Sequence, residues 1–290
     1  MSWRVIVIEK RCKLDLKMNY MVVRSEDTVK VFLDEIGVLI IENPAVSMTV
    51  CLLNALTEKK VKVIFCDSKR NPSAELQPCY GCHDDSRKIR LQISWSPDRK
   101  GMVWTEIVAE KIRHQSAFVR ELGHDQAADL LDSYLSELRF NDESNREGHA
   151  AKVYFNALFG MDFTRSDENI INAALNYGYG LILSAVNREV SLNGYLTQIG
   201  IFHDNVFNHF NLSCDLMEPI RIVIDRFVKK SAFTAFGTEE KRMLLSVLND
   251  CFYINGMQNT LLNAIKIYVR SVFDAINEGD ASLIKFIKFV

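Results

Sequence analysis

Apolar and polar residues alternate over the first 70 positions in short runs that read as strands. WRVIVIE, KLDLKMN, YMVVRS, VKVFL, GVLIIEN and VKVIFCD are rich in Val, Ile and Phe, and charged or Asn-bearing turns separate them. One helical insert over 47–58 interrupts them, where Val50, Leu52, Leu53 and Leu56 supply an apolar face. Residues 1–70 are therefore expected to form a small β domain. The next stretch, DSKRNPSAELQPCYGCHDDSRK, carries two Pro and clustered charges, so 71–90 is expected to be a linker.

Beyond it the period becomes helical, and 91–290 is expected to be an all-helical domain. Trp104, Ile107, Val108 and Ile112 mark one helix; Ala127, Leu130, Leu131, Leu135 and Leu138 mark the next. The longest pattern runs over 168–190, where Ile171, Ala174, Leu175, Gly178, Leu181, Ile182, Ala185 and Val186 keep i, i+3, i+4 spacing. Gly178 and Gly180 lie inside it. A mid-helix Gly costs about 1 kcal/mol relative to Ala, so close helix packing is expected as compensation.

Composition changes this picture little. The chain has 290 residues, 48% of them hydrophobic and 25% charged, a soluble globular balance. No apolar run approaches the ~20 residues of a membrane helix, and MSWRVIVIEKRCKLD lacks the cleavage site of an export signal. A cytoplasmic setting with no membrane partner is expected. Seven scattered cysteines suit reduced thiols. Cys79, Cys82 and His83 spell the CxxCH of covalent haem attachment, but that chemistry belongs to oxidising compartments, and a zinc site would need a second ligand pair. The segment reads as a turn with two free thiols. The net charge of −2 hides an asymmetry: residues 1–100 carry 17 Lys and Arg against 13 Asp and Glu (+4), and 101–290 carry 18 against 24 (−6). The balance suits metal binding in the second half and lends DNA binding no support.

Candidate chemistry concentrates in SNREGHAAKVYFNALFG and GIFHDNVFNHFNLSCDLMEPIRIVID. Glu147 opens a helix whose i+4, i+8 and i+11 neighbours are Ala151, Phe155 and Leu158, so its carboxylate lies on or beside the inward face and needs a partner. The plain alternative is a capping box with Ser144 as N-cap. Glu218 has a similar alternative, because Asp215 to Glu218 has the spacing of a helix N-terminus and Pro219 is tolerated there. Capping leaves the preceding string unexplained: His203, Asp204, Asn205, Asn208, His209 and Asn211 interleave with Phe202, Phe207 and Phe210. Spacing does not choose between His203 and His209. His83, His114, His124 and His149 read as solvated. No GxSxG elbow, GK[ST] phosphate loop or GxGxxG turn is present.

The same two segments, with the helix INAALNYGYGLILSAVNREV between them, resemble in order and separation the CRISPR-associated protein one family, the integrase of spacer acquisition. SWRVIVIEKRCKL and VKVIFCDSKRNPSAEL resemble the variant linked to type II systems. The resemblance spans about 1–230 and is weak after Ser231. It implies an α+β multidomain fold, with a small β-sandwich-like N-terminal domain before a larger all-α catalytic domain. It also implies a Mg²⁺ or Mn²⁺ site made of Glu147, His203 and Glu218, which favours His203 over His209. The implied reaction is transesterification: the 3′-hydroxyl of a short foreign DNA fragment attacks a CRISPR repeat border.

Arg146 and Arg221 flank those ligands as candidate phosphate contacts; Asn145, Asn208 and Asn211 are candidates for orienting ligands or DNA. Type II relatives are associated with a His at the first β-turn for DNA-end handling, where this chain has Arg11. The implied partners are double-stranded DNA fragments, CRISPR repeat DNA, a second copy of the chain, and a dimer of the second CRISPR adaptation protein bridging two such dimers. The competing readings are a metal-dependent nuclease without an integration role and a non-catalytic DNA-binding scaffold.

Overall fold

The computed structural model describes residues 4–68, 70–76 and 84–289. The six N-terminal runs become strands β1 (Arg4–Ile8), β2 (Lys13–Lys17), β3 (Tyr20–Arg24), β4 (Thr28–Phe32), β5 (Ile36–Ile41) and β7 (Lys62–Cys66); β6 (Ser47–Met48), at the start of the expected helical insert, and β8 (Pro72–Leu76), in the expected linker, are strands the runs did not predict. The insert is helix α1 (Val50–Glu58), started by Thr49, whose hydroxyl accepts from the Leu52 amide. One sheet has the order β1-β5-β7-β8, with β1, β5 and β7 parallel and β8 antiparallel to β7. The other has the order β4-β3-β2-β6, an antiparallel meander with β6 parallel to β2.

The two sheets share one core. Leu14, Met21 and Val31 of the meander cluster with Leu39, Ile41 and Val63 of the other sheet and with Leu52 and Leu56 of α1. Strand β5, IGVLII, is buried on both faces, as a continuous apolar run in a parallel strand requires. Its Val38 and Ile40, with Ile64, join the main core of the helical part. No linker separates the two parts over 71–76: β8 occupies it and pairs with β7 in spite of Pro72. Pro is tolerated on such an edge strand. The expected linker ends in a further helix, α2 (Asp85–Ile93). The CxxCH segment, with His83, lies outside the described residues.

The helical part continues with α3 (Pro97–Glu121), α4 (Asp125–Ser136), α5 (Arg146–Phe159), α6 (Ile170–Leu192), α7 (Asn211–Met217), α8 (Ile222–Ser231) and α9 (Thr238–Ser246). It is not all-helical. Strands β9 (Cys251–Ile254) and β10 (Met257–Thr260) form an antiparallel hairpin before α10 (Leu261–Glu278). Asn255 and Gly256 both take positive φ in its turn, the conformation that favours an Asn-Gly pair in a two-residue hairpin. Helix α6 runs through the core, and Gly178 lets α8 approach: a Cβ there would stand 2.4 Å from Ile224 Cγ2. Gly180 faces nothing within 4 Å, so close packing explains only the first of the two glycines. Helix α3 packs against α4, α5, α8 and the 3-10 turn Glu218–Ile220, which puts one long element beside both Glu147 and Glu218. Among the described residues no helix is long and apolar enough to cross a membrane.

Candidate metal centre

Glu147 stands in the first turn of α5, but the cap differs from the capping box that Ser144 and Glu147 suggest. Asn145 is the N-cap residue, in the left-handed region at φ 50°, and its side chain makes no capping bond. Asp142 instead accepts from the amides of Arg146 (2.7 Å) and Glu147 (3.0 Å). The Glu147 carboxylate is thus free of capping duty and turns to Lys111.

Lys111 is the residue that the sequence reading missed. Its ammonium donates to Glu147 Oε1 and to Glu218 Oε2, each at 2.5 Å, from a side chain only 11% exposed. It lies seven residues after Trp104 and three after Val108, on the buried stripe of α3. A Lys on an apolar helical stripe signals a buried anionic partner, and that signal was available in IVAEKIRHQ. Burial works against its charge, yet Glu218 and Glu147 outweigh burial and raise its pKa above the ordinary lysine value.

Glu218 is buried at the junction of α7 and the 3-10 turn, with Pro219 in the first turn positions. Burial alone would raise its pKa; the charges of Arg221 and Lys111 overcome it and hold the carboxyl at about 2. Arg221 forms an ion pair with Oε1 at 2.9 Å. Two cations therefore grip one carboxylate on opposite oxygens.

Asp215 is no helix cap. It is fully buried within α7 and accepts from the amides of Ile201 (2.6 Å), Phe202 (3.0 Å) and His203 (3.1 Å), and its Oδ1 stands 2.5 Å from His203 Nδ1. One carboxylate thus fixes both the loop and the imidazole, the usual arrangement behind a metal-binding histidine. Gly200 permits it, because a Cβ there would stand 2.2 Å from the His203 carbonyl oxygen and 2.8 Å from Asp215 Oδ2. The His203 ring meets Trp104 and Phe202 edge-on, and Phe202 stacks on Trp104 at 4.5 Å. The hydrogen bond to Asp215 raises the His203 pKa; burial opposes it, and the charges of Asp215, Glu218 and Glu147 add to the rise. His209 is exposed, its carbonyl accepting from the Thr197 hydroxyl.

Glu147, Glu218, Lys111 and Arg221 line a cleft of about 240 Å³ with Arg165 and Tyr179. Among the described residues no three His, Cys, Asp or Glu side chains stand close enough together to hold a metal. The donor set still suits a divalent cation, since two carboxylate oxygens already close on one positive centre at 2.5 Å each. The charge of His203 also answers to both carboxylates. Oxygen donors match hard ions such as Mg²⁺ and Mn²⁺, and an imidazole favours Mn²⁺.

The other sequence candidates have structural partners. Arg146 pairs with Glu137 at 2.6 Å and lies over the Tyr134 ring, away from the cleft lining. Asn145 lies over Gly148, Asn208 accepts from the Phe210 amide, and Asn211 donates to the Gln198 and Asn205 carbonyls. Arg11 is exposed on the β1–β2 connection and lines no part of the cleft. Of the histidines read as solvated, His124 and His149 are exposed. His114 is not: its Nδ1 meets the Pro219 carbonyl at 3.1 Å and its ring packs edge-on against Phe289.

Residues 5–241 match the family model described as CRISPR associated protein Cas1. The chain belongs to the Cas1 family. A Cas1 relative named a CRISPR-associated endonuclease, from Neisseria meningitidis serogroup C, is 38% identical over 226 residues, 78% of this chain and 74% of its own. A second, from Francisella tularensis subsp. novicida, is 26% identical over 78% of each chain. Among solved structures, the fold is similar to a Cas1 protein from Thermotoga maritima, with a TM-score of 0.79 at 16% identity over 96% of this chain and 98% of that one. It is also similar to a casposase bound to integration product, with a TM-score of 0.75 at 18% identity over 97% and 92%. A chain of a Cas6-RT-Cas1–Cas2 complex is matched with a TM-score of 0.72 at 16% identity over 97% of this chain and 36% of that chain. The Cas1-family match ends within α9, so the hairpin and α10 lie beyond it.

Proposed function

We propose that this chain is the DNA integrase of CRISPR adaptation, a metal-dependent endonuclease that joins the 3′-hydroxyl ends of short foreign fragments to CRISPR repeat borders. The observation that carries the reading is the pairing of Glu147 and Glu218 about one cation, with an imidazole that Asp215 holds in place and whose charge both carboxylates favour. Glu147, His203 and Glu218 would hold Mg²⁺ or Mn²⁺, and the bound ion would supply Lewis-acid polarisation of the phosphodiester. In the joining step the fragment's 3′-oxygen forms a bond to the phosphorus at the repeat border, the bond from that phosphorus to the 3′-oxygen of the nucleotide flanking the repeat breaks, and that oxygen leaves with the proton. Water in place of the 3′-hydroxyl gives endonuclease cleavage.

The chain's own residues supply the rest. Asp215 keeps Nδ1 of His203 engaged and leaves the other ring nitrogen for the ion. Arg221 faces the cleft from Glu218 and over the Tyr179 ring at 4.9 Å, where it would meet a phosphate oxygen. Lys111 would move from the carboxylates to that phosphate once a divalent ion takes its place. Two dimers of this chain would flank a dimer of the second adaptation protein and present two sites to two DNA ends.

Incubating the purified chain and its partner with a labelled fragment and a repeat-bearing duplex tests this. Joined product at the repeat border with Mn²⁺ or Mg²⁺, and none with EDTA, is the expected result. Cleavage indifferent to the repeat would mean a nuclease without an integration role; binding without reaction would mean a scaffold.

A further inference from the structure

The segment between His203 and Asn211 is tightly built, yet it presents its apolar tip to water. Asn205 Oδ1 accepts from the Phe207 amide at 2.9 Å and its carbonyl from the Asn208 amide; Asn208 Oδ1 accepts from the Phe210 amide at 3.0 Å. Asn211 ties the base of the loop to Gln198 and Asn205. These bonds use every Asn of the string on its own backbone. What they hold out is Val206, 86% exposed, and Phe207, 88% exposed. The fold gains no burial from either side chain, while the same loop begins at His203 and Phe202, the latter stacked on Trp104 and still 43% exposed.

A rigid loop that presents an aromatic ring four residues from a candidate metal ligand is suited to a flat apolar partner. Nucleobases are such partners wherever a duplex is opened, and stacking on an aromatic ring accepts any base. We infer that Phe207 stacks on a base of the repeat duplex beside the phosphodiester under attack, and so seats that phosphodiester at the cleft. The inference rests on the integrase reading and names a substrate contact of the same site. It also assigns the string HDNVFNHFN a purpose: its Asn residues shape the loop, and its Phe makes the contact.

The test uses the complete chain and a repeat duplex carrying 2-aminopurine next to the border. Binding is read by fluorescence without metal, and joining is read separately with Mn²⁺. Phe207→Tyr should keep the quenching of 2-aminopurine, while Phe207→Leu and Phe207→Ala should lose it and bind the border duplex about tenfold more weakly, ~1.4 kcal/mol. All three should keep the melting-temperature shift that Mn²⁺ gives the wild type, since Phe207 touches no ligand. Phe207→Leu binding as well as wild type would overturn stacking, as would unchanged binding in Phe207→Ala. A change of oligomeric state in Phe207→Asp without DNA would assign the loop to a protein interface and overturn it too. Quenching that depends on Phe207 in a chain that joins nothing would support the contact and sink the integrase reading alone.

Discussion

Replacing Lys111 with Met keeps the side-chain stem and removes the charge. Each carboxylate oxygen lies 2.5 Å from Nζ, so the Glu147 and Glu218 oxygens stand no more than 5 Å apart. Two like charges at that separation repel by roughly 3 kcal/mol at an effective dielectric of about 20. Breaking one side of a buried ion pair costs about 3–5 kcal/mol, and here Arg221 stays on Glu218 and offsets part of that. A loss near 3 kcal/mol corresponds to a melting temperature lower by roughly 5 °C for a chain of 290 residues. Mn²⁺ should reverse the loss, because a divalent ion bound only by the folded state at a hundredfold excess over its Kd restores about 2.7 kcal/mol. Differential scanning fluorimetry with EDTA and with Mn²⁺, on wild type and Lys111→Met, reads both effects. The variant should melt lower in EDTA and gain more from Mn²⁺ than wild type. Equal melting in EDTA, or a smaller Mn²⁺ gain in the variant, would refute the reasoning.

Other predictions follow from the residues that hold the site. Asp215→Asn should weaken Mn²⁺ binding by about 10–100-fold in calorimetry, since it loosens the loop amides and the imidazole together. Gly200→Ala should reduce joining at least as much, because its Cβ must displace the His203 carbonyl; a normal joining rate would show that the loop can shift. His203 binds a metal only when neutral, and its partners raise its pKa, so Mn²⁺ affinity should climb with pH through a value above the ordinary imidazole figure of about 6.5. An Asp215→Asn variant should titrate lower. Burial pushes Asp225 up to about 6 against the hydrogen bonds of Tyr179 and Tyr154. The folded state thus holds an extra proton between the unfolded value of about 3.9 and 6, so this group lowers stability as pH rises across that window. Asp225→Asn should flatten stability against pH there, as measured by denaturant unfolding.

Much of this was legible in the chain. Short runs rich in Val, Ile and Phe marked six strands, and period-3.6 runs marked α1 and α3 to α6, because those signals are local and strong. Helix α2 and β8 escaped notice because Pro72 and the charge clusters around them read as breakers, while pairing with β7 decided the outcome for β8. The hairpin after α9 was missed although Asn255 and Gly256 announce it. At the site, the roles of Glu147 and Glu218 stayed ambiguous with capping because caps are local and their partner is not: Lys111 lies 36 and 107 residues away. Asp215 looked like a cap for the same reason, since its acceptor role is set by a loop 12 to 14 residues upstream. The family resemblance chose His203, and the structure gives that choice a physical partner in Asp215.

Crystals soaked in Mn²⁺ and measured at the manganese absorption edge test the central claim most directly. The account predicts one anomalous peak within about 2.5 Å of carboxylate oxygens of Glu147 and Glu218 and of the free ring nitrogen of His203, with the Lys111 ammonium displaced. A peak elsewhere, or Lys111 still bridging both carboxylates at saturating Mn²⁺, would contradict it.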